Sequence, residues 1–369
     1  MTKALFALRA ATLTISCMGA AWAGSGDFLT SAAGPGGDSR WSYQFGLSTR
    51  LGLTADFRNI GQWDSPNAVS GFGSVTNRTY DDGFNRVDFT GNIGGLTSHW
   101  GIRDLDQVGQ VAPNTISMNL NNSLSNGSLT GVDDDSPGSP GIEYTLQYQM
   151  GRLGTLVGLD RSPVTWGFGL NFFYQNVGIG GGGQTLSDVE RVTDSFASGS
   201  VAIGVAPYSG PSTPAFGAPL ISDNLTMANR ATSIIPNGAM VQGSYDLSTN
   251  LFGVNVGPWV QVPITNKLAF NAEAGLSLAL AFSDFKGSST TTIAGSGSQT
   301  HKLSDDSTEL LIGAYLGAGL RYEISESMHS YLSLRWNTMQ DHSVDAGRSK
   351  AELDFSSNVS ISAGVGFKF

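Results

Sequence analysis

Between Leu268 and Phe282 the chain alternates with unusual regularity: Leu268, Phe270, Ala272, Ala274, Leu276, Leu278, Leu280 and Phe282 fall on one face, with Asn271, Glu273, Gly275 and Ser277 on the other. A period of two is that of a β-strand, whose successive side chains point to opposite faces. The C-terminal stretch repeats it, with Val359, Ile361, Ala363, Val365, Phe367 and Phe369 set against Ser360, Ser362, Gly364, Gly366 and Lys368. Six further stretches alternate in the same way. They carry Trp41, Tyr43, Phe45, Leu47, Leu51 and Leu53; Ile142 to Met150; Trp166 to Tyr174; Phe252 to Ile264, with Pro258 inside it; Leu310 to Leu320; and Leu332 to Trp336. The pattern predicts strands near 41–56, 141–152, 163–178, 246–264, 268–284, 307–324, 329–340 and 353–369.

Such strands suit either a soluble sandwich, whose apolar faces meet in a dry core, or a membrane barrel, whose apolar face meets lipid and whose small polar face lines the lumen. The connections separate the two. Roughly 80 residues are followed by about 10, then roughly 65 by Thr265-Asn266-Lys267, then about 20 by Ser325-Glu326-Ser327-Met328, then about a dozen. Long loops on one side and tight turns on the other are the asymmetry of a bacterial barrel with extracellular loops and periplasmic turns. A sandwich has no reason to sort its loops by length.

The N-terminus agrees with export. Residues 1–23 read as a signal peptide: Lys3 and Arg9 precede an apolar run, and Ala21-Trp22-Ala23 gives a cleavage pattern after Ala23. Cys17, the only cysteine, lies inside this segment in a poor context for lipidation. Its removal leaves 18 basic against 30 acidic residues, a net of −12, which gives no reason to expect nucleic acid as a partner. Charged residues are 14% of the chain, with 49 glycines, against about 25% charged in an average globular domain. No stretch has the roughly 20 apolar residues that a spanning helix needs.

Taken together, the signal peptide, the even set of alternating strands, the tight turns and the aromatic C-terminal strand resemble the bacterial outer-membrane β-barrel superfamily. In size the chain is most like the eight-stranded OmpA-type barrels, without a following peptidoglycan-binding domain. The resemblance implies an antiparallel, up-and-down, all-β transmembrane barrel in the bacterial outer membrane, with lipid and lipopolysaccharide around it. It also implies that the outer-membrane assembly machinery reads Val365, Phe367 and Phe369 as an assembly signal. The expected organisation is a periplasmic segment at 24–40 and one barrel domain at 41–369, with long loops near 57–140 and 181–245. Eight strands is the leading count. Ten or twelve remain open, because Leu96 to Ile102 and Ile116 to Leu120 could add a hairpin within the first long connection. Trp41, Tyr43, Tyr322, Phe367 and Phe369 are placed near the turns and Tyr144 and Tyr174 nearer the loops, as membrane-interface aromatics are.

Candidate chemistry is sparse. His99, His301, His329 and His342 show no two-histidine metal spacing. Asp341-His342-Ser343 brings three catalytic residue types together, but consecutive side chains on an extended chain point apart. His329-Ser330 and His342-Ser343 are adjacent pairs, unlike the His-x-Ser pair of a lipid A-modifying barrel enzyme. Asp133-Asp134-Asp135 and Asp305-Asp306 lack the carboxylate spacing and turn glycine of a calcium loop and read as solvated loop turns. Gly178 to Gly183 is followed by no Lys-Ser/Thr pair and reads as the start of a flexible loop. We therefore expect no enzyme activity, no cofactor and no bound metal.

The inward charges say more. Arg50, Glu143, Glu273, Arg321 and Arg335 all fall on the polar phase, and an unpaired charge inside a narrow lumen costs several kcal/mol. They are expected to form a network, Arg50 beside Glu143 and Glu273 with Arg321 or Arg335, closing a lumen that eight strands make just wide enough for side chains. The expected role is structural or surface-interacting, through the extracellular loops. The alternative is a small porin or passive channel, favoured if the many inward glycines leave an open path.

Overall fold

The computed structural model describes residues 40–132, 138–153, 163–199 and 204–368. The signal segment, nearly all of 24–40, Asp133 to Asp135 and Phe369 lie outside these. Along the chain come β1 (Trp41–Leu51) and β2 (Thr54–Ile60), then four short strands, β3 (Arg78–Thr79), β4 (Gly83–Asn85), β5 (Leu96–Thr97) and β6 (Trp100–Ile102). They are followed by β7 (Thr115–Ser123), β8 (Gly127–Val132), β9 (Ser139–Arg152), β10 (Thr165–Ala197), β11 (Tyr208–Ser209), β12 (Ile221–Ser222) and β13 (Arg230–Pro263). The chain closes with β14 (Leu268–Ile293), β15 (Gly297–Glu323), β16 (Met328–Met339), β17 (His342–Ala346), β18 (Ser349–Asp354) and β19 (Asn358–Lys368).

Eight of these strands form a closed antiparallel ring, β1-β9-β10-β13-β14-β15-β16-β19 and back to β1. Chain order and ring order coincide, so the barrel is up-and-down. Its outward face explains itself strand by strand. Leu276, Leu316, Leu334 and Leu47 are among the most exposed apolar side chains of the molecule, which only lipid can accommodate on such a scale. Pro258 also points outward and leaves the β13–β14 register unshifted.

The apolar band ends at one height. Tyr174 pairs Phe252, Phe252 pairs Leu280, and Leu280 pairs Leu310. One outward step further along each strand, the residues are Asn176, Asn250, Phe282 and Thr308, and then Ser248, Asp284 and Asp306. From Leu268 to Leu280, at about 3.4 Å per residue and tilted roughly 40°, the band spans roughly 30 Å, enough for the hydrocarbon of an outer membrane. At the turn side Trp41 packs on Tyr148 at 4.8 Å and Tyr43 stacks on Phe367 at 5.3 Å. Tyr174 lies at the outer boundary. Tyr144 pairs Phe172, one outward step short of Tyr174, and its ring lies 6.4 Å from that of Tyr43.

Above the band the walls continue. β10 and β13 run for 33 and 34 residues, and β14 and β15 for 26 and 27, so most of the expected loop at 181–245 is strand, as are Gly178 to Gly183 and Asp305-Asp306. The other four ring strands give way to four neighbours in chain: β1 to β2, β9 to β8, β16 to β17 and β19 to β18. These pair in the order β17-β18-β2-β8-β10 and complete a second storey. The handover from β1 to β2 occurs at Gly52, whose φ of 84° is a conformation that side chains disfavour. The inward phase changes there from even to odd positions, so Leu53 faces the interior, not the lipid side where strict alternation had put it. An outer lobe built from β3 to β7, β11 and β12 caps this storey. Its core contains Tyr80, Trp100, Met118 and Phe196. Leu96 to Ile102 and Ile116 to Leu120 belong to that lobe, with β7 pairing only the outer end of β10, so they add no strand to the ring.

Candidate functional site

The polar phase of the ring brings charged and amide side chains into the lumen. Glu273 on β14 and Arg335 on β16 both pair Gly317 of the intervening β15, and over that glycine Arg335 Nη2 and Nε donate to Glu273 Oε1 at 2.7 and 3.0 Å. Arg335 Nη1 reaches across to Glu143 Oε2 at 3.2 Å, and the Tyr331 hydroxyl donates to Glu143 Oε1 at 3.0 Å. An amide ladder continues the layer around the wall. Ser277 donates to Asn255 at 2.6 Å, Asn255 to Asn171 at 3.0 Å, and Asn171 to Thr145 at 2.7 Å and Glu143 at 3.3 Å. Nearer the turns, Gln44 bonds Gln147 and His329, each at 3.3 Å. One guanidinium thus serves two carboxylates, and Glu143 also accepts from the neutral donors Tyr331 and Asn171, as a buried charge requires.

Two expected contacts are not made. Arg50 does not touch Glu143, because the β1–β9 register sets Glu143 against Gly46 and Arg50 against Ser139, four residues higher. Arg50 instead donates from Nε to Gln175 at 3.0 Å and lies 5.2 Å over the Phe173 ring. Arg321 pairs with Glu323 at 3.0 Å on its own strand, since the register places it against Ala269, not Glu273. The uncharged members, Tyr331, Asn171, Asn255 and Gln44, were not singled out in the sequence, although each occupies the same polar phase. Val365 and Phe367 face lipid on β19; Phe369 is outside the described residues.

The inward glycines do not leave a path. A Cβ on Gly46 would lie 2.2 Å from Tyr331 Oη, and one on Gly253 would lie 2.2 Å from Phe173 Cζ: neighbouring side chains already fill the space the glycines vacate. The cavity among Glu143, Glu273, Tyr331 and Arg335 measures about 30 Å³, room for about one water. Above the polar layer the interior turns apolar, with Phe57, Phe173, Val177, Tyr245, Phe285, Leu311, Leu353 and Phe355 in one cluster. Phe57 stacks on Tyr245 at 5.3 Å and on Phe285 at 5.7 Å.

Further out, Arg230 donates from Nε and Nη2 to the two oxygens of buried Asp194, both at 2.7 Å, and the Tyr80 hydroxyl donates to Asp194 Oδ2 at 2.7 Å. Burial, then the negative charge of Asp194, holds the Tyr80 phenol above its ordinary range. A polar cavity of about 140 Å³ lies between Asp82, Asn119, Asn121, Arg191 and the Ala294-Gly295-Ser296 turn. Burial raises the Asp82 carboxyl above its usual range despite the hydrogen bonds from Asn119. The histidines are dispersed. His342 Nδ1 meets Glu309 Oε2 at 2.7 Å, His301 lies by Gln299, His99 packs edge-on to Phe84, and Asp341 accepts the Phe355 N–H. Among the described residues no group of three or more His, Cys, Asp or Glu could hold a metal ion.

A closed antiparallel ring, lipid-facing outside and polar inside, defines a transmembrane β-barrel. No protein-family model matches the chain, and no curated protein matches it. Among solved structures it is similar to three outer-membrane β-barrel proteins. These are Ail, the attachment invasion locus protein of Yersinia pestis (8% identity, TM-score 0.23, over 90% of this chain and 99% of Ail), the outer membrane protein OprG from Pseudomonas aeruginosa (9%, 0.30, 90% and 96%), and the outer membrane protease OmpT from Escherichia coli (8%, 0.27, 89% and 96%).

Proposed function

We propose that the chain is a closed, non-enzymatic barrel of the bacterial outer membrane, of the eight-stranded OmpA-type size, whose work is done by the β-structure it holds above the membrane. The carrying observation is that the interior is filled at two successive heights. Ions would first have to break the Glu143–Arg335–Glu273 layer and then pass the aromatic cluster of Phe57, Tyr245 and Phe285. A structural or surface-interaction role follows, with lipid and lipopolysaccharide around the apolar band and the assembly machinery as the biogenesis partner. Planar-bilayer recording of the purified, folded chain tests this: the current should stay at baseline. A steady, reproducible single-channel step would establish the porin reading instead.

A further inference from the structure

The second storey has one seam. Strand β15 pairs β16 only between Gly313 and Glu323, while its upper half pairs β14 alone. The β17–β18 hairpin packs against β15 and β14 without forming a ladder. It is clasped to β15 at the two ends of this stretch. At the bottom, His342 meets Glu309, and Gln340 takes both backbone groups of Ile312, its N–H donating to the Ile312 carbonyl at 3.2 Å and its side-chain oxygen accepting the Ile312 N–H at 3.4 Å. At the top, Asp64 joins Gln299 to Arg348. Between the clasps no described strand pairs the edge.

Hydrogen-bonding groups alternate sides along a strand, and the Ile312 contacts fix the parity: even-numbered residues present N–H and C=O to the edge. The Asp306 N–H obeys it, donating to Asp305 Oδ1 at 2.9 Å. For Thr300, Lys302, Ser304, Thr308 and Leu310 no protein partner takes these backbone groups among the described residues. A row of this kind is a ready template for an added strand. The charges set what can be added. Asp305, Asp306 and Glu309 lie on the edge against Lys302, while on the facing hairpin Arg348 is paired with Asp64 and Lys350 lies 3.9 Å from Glu352. Like charges opposite one another oppose pairing, so an acidic strand is turned away and a cationic one is favoured.

We propose that the β15 edge from Thr300 to Leu310 is a strand-addition site for an extended, Lys- or Arg-bearing segment of a partner polypeptide outside the cell. The partner's main chain would supply the hydrogen bonds and its cations, on one face of the added strand, would lie beside Asp305. The proposal rests on the surface-interaction reading above and tests separately from it, because conductance reports on the lumen and amide exchange on the edge.

The test uses the full barrel in lipid nanodiscs and a synthetic peptide of alternating Lys and Val, with a Glu-for-Lys twin. Exchange of the Thr300, Lys302, Ser304, Thr308 and Leu310 amides should slow by about tenfold or more with the Lys peptide, less at high salt, and not with the Glu twin. Ser304→Pro removes an edge-facing N–H while sparing the ladder to β14, a position where proline is tolerated. It should abolish the protection yet keep the heat-modifiable gel shift of a folded barrel. No protection by the Lys peptide, equal protection by the twin, or an unaffected Ser304→Pro variant overturns the proposal. Protection that rises with protein concentration in the absence of peptide overturns it in favour of pairing between two copies.

Discussion

Arg335 and Glu273 meet at 2.7 Å over Gly317, with one strand between their own. The same guanidinium also holds Glu143 at 3.2 Å, and this division of labour orders the expected mutational costs. Arg335→Ala strands the buried Glu143 and the half-buried Glu273 carboxylates and should cost about 3 to 5 kcal/mol, as breaking a buried pair does. Glu273→Ala should cost less, because Glu143 still faces the cation. Glu326→Ala, in an exposed turn, should stay within about 0.5 kcal/mol. Urea unfolding in lipid vesicles gives the three midpoints. If Glu273→Ala matches Glu326→Ala, the lumen layer does not contribute to stability.

Glycine at 46 is required by packing. A methyl group there would meet the Tyr331 hydroxyl at 2.2 Å and the Ala363 carbonyl at 2.6 Å, and backbone cannot swing away as a side chain can. Gly46→Ala should therefore lower stability by about 1 to 3 kcal/mol, the usual cost of overpacking. Gly46→Ala combined with Tyr331→Phe relieves only the hydroxyl clash and should recover only part. Full recovery in the double variant would show that the Ala363 contact is immaterial. The midpoints come from the same urea unfolding.

The last strand carries a biogenesis prediction. Val365 and Phe367 face lipid, and Phe367 stacks on Tyr43 of the neighbouring first strand, where the ring closes. Replacing Phe367 and Phe369 by Ser should leave export intact and sharply reduce the folded outer-membrane yield, read as the heat-modifiable gel shift. A normal yield would detach insertion from these two side chains.

How legible all this was depends on the solvent each face meets. Where lipid forces every second residue to be apolar, as from Leu268 to Phe282, strand and phase follow from the residues alone, and the inward position of Glu273 and Arg335 follows with them. Above Leu280 and Leu310 the outer face meets water, and outward Asp284, Lys286 and Ser288 no longer contrast with inward Ser283 and Ser289. The period of two fades while the strand continues, so 181–197 and 230–245 read as loop. Partner choice inside the lumen was hidden for another reason. It depends on which residues share a height, and the β1–β9 and β14–β15 registers alone decide that Arg50 meets Gln175 and Arg321 meets Glu323.

The outer lobe should loosen in acid before the ring does. Burial alone would push the Asp88 carboxyl up. The Thr90 hydroxyl and N–H, the Ser98 N–H and the Asn92 N–H outweigh it and hold the group below its ordinary value. A carboxyl depressed in the folded state contributes stability that is fully present above its unfolded pKa of about 3.9 and is lost as pH falls through the folded value. Asp188, held down by Asn237 and Asn126, and Asp64, held down first by Gln62 and then by Arg348, carry the same sign. Asp88 ties the loop at Thr90 and Asn92 to Ser98 at the start of the β6 region, so its protonation releases a contact between segments of the lobe, whereas the membrane-embedded ladders bear no such group on their outward face. Amide protection factors at Thr90, Asn92 and Ser98 should therefore fall as the pH drops below about 4, the unfolded carboxyl value, while those of Leu276 and Leu316 hold. Asp88→Asn should flatten this dependence at the three amides. Protection that stays constant in the original chain on acidification to about pH 2, or an Asp88→Asn variant that keeps the full drop, would show that Asp88 does not govern the acid sensitivity of the lobe.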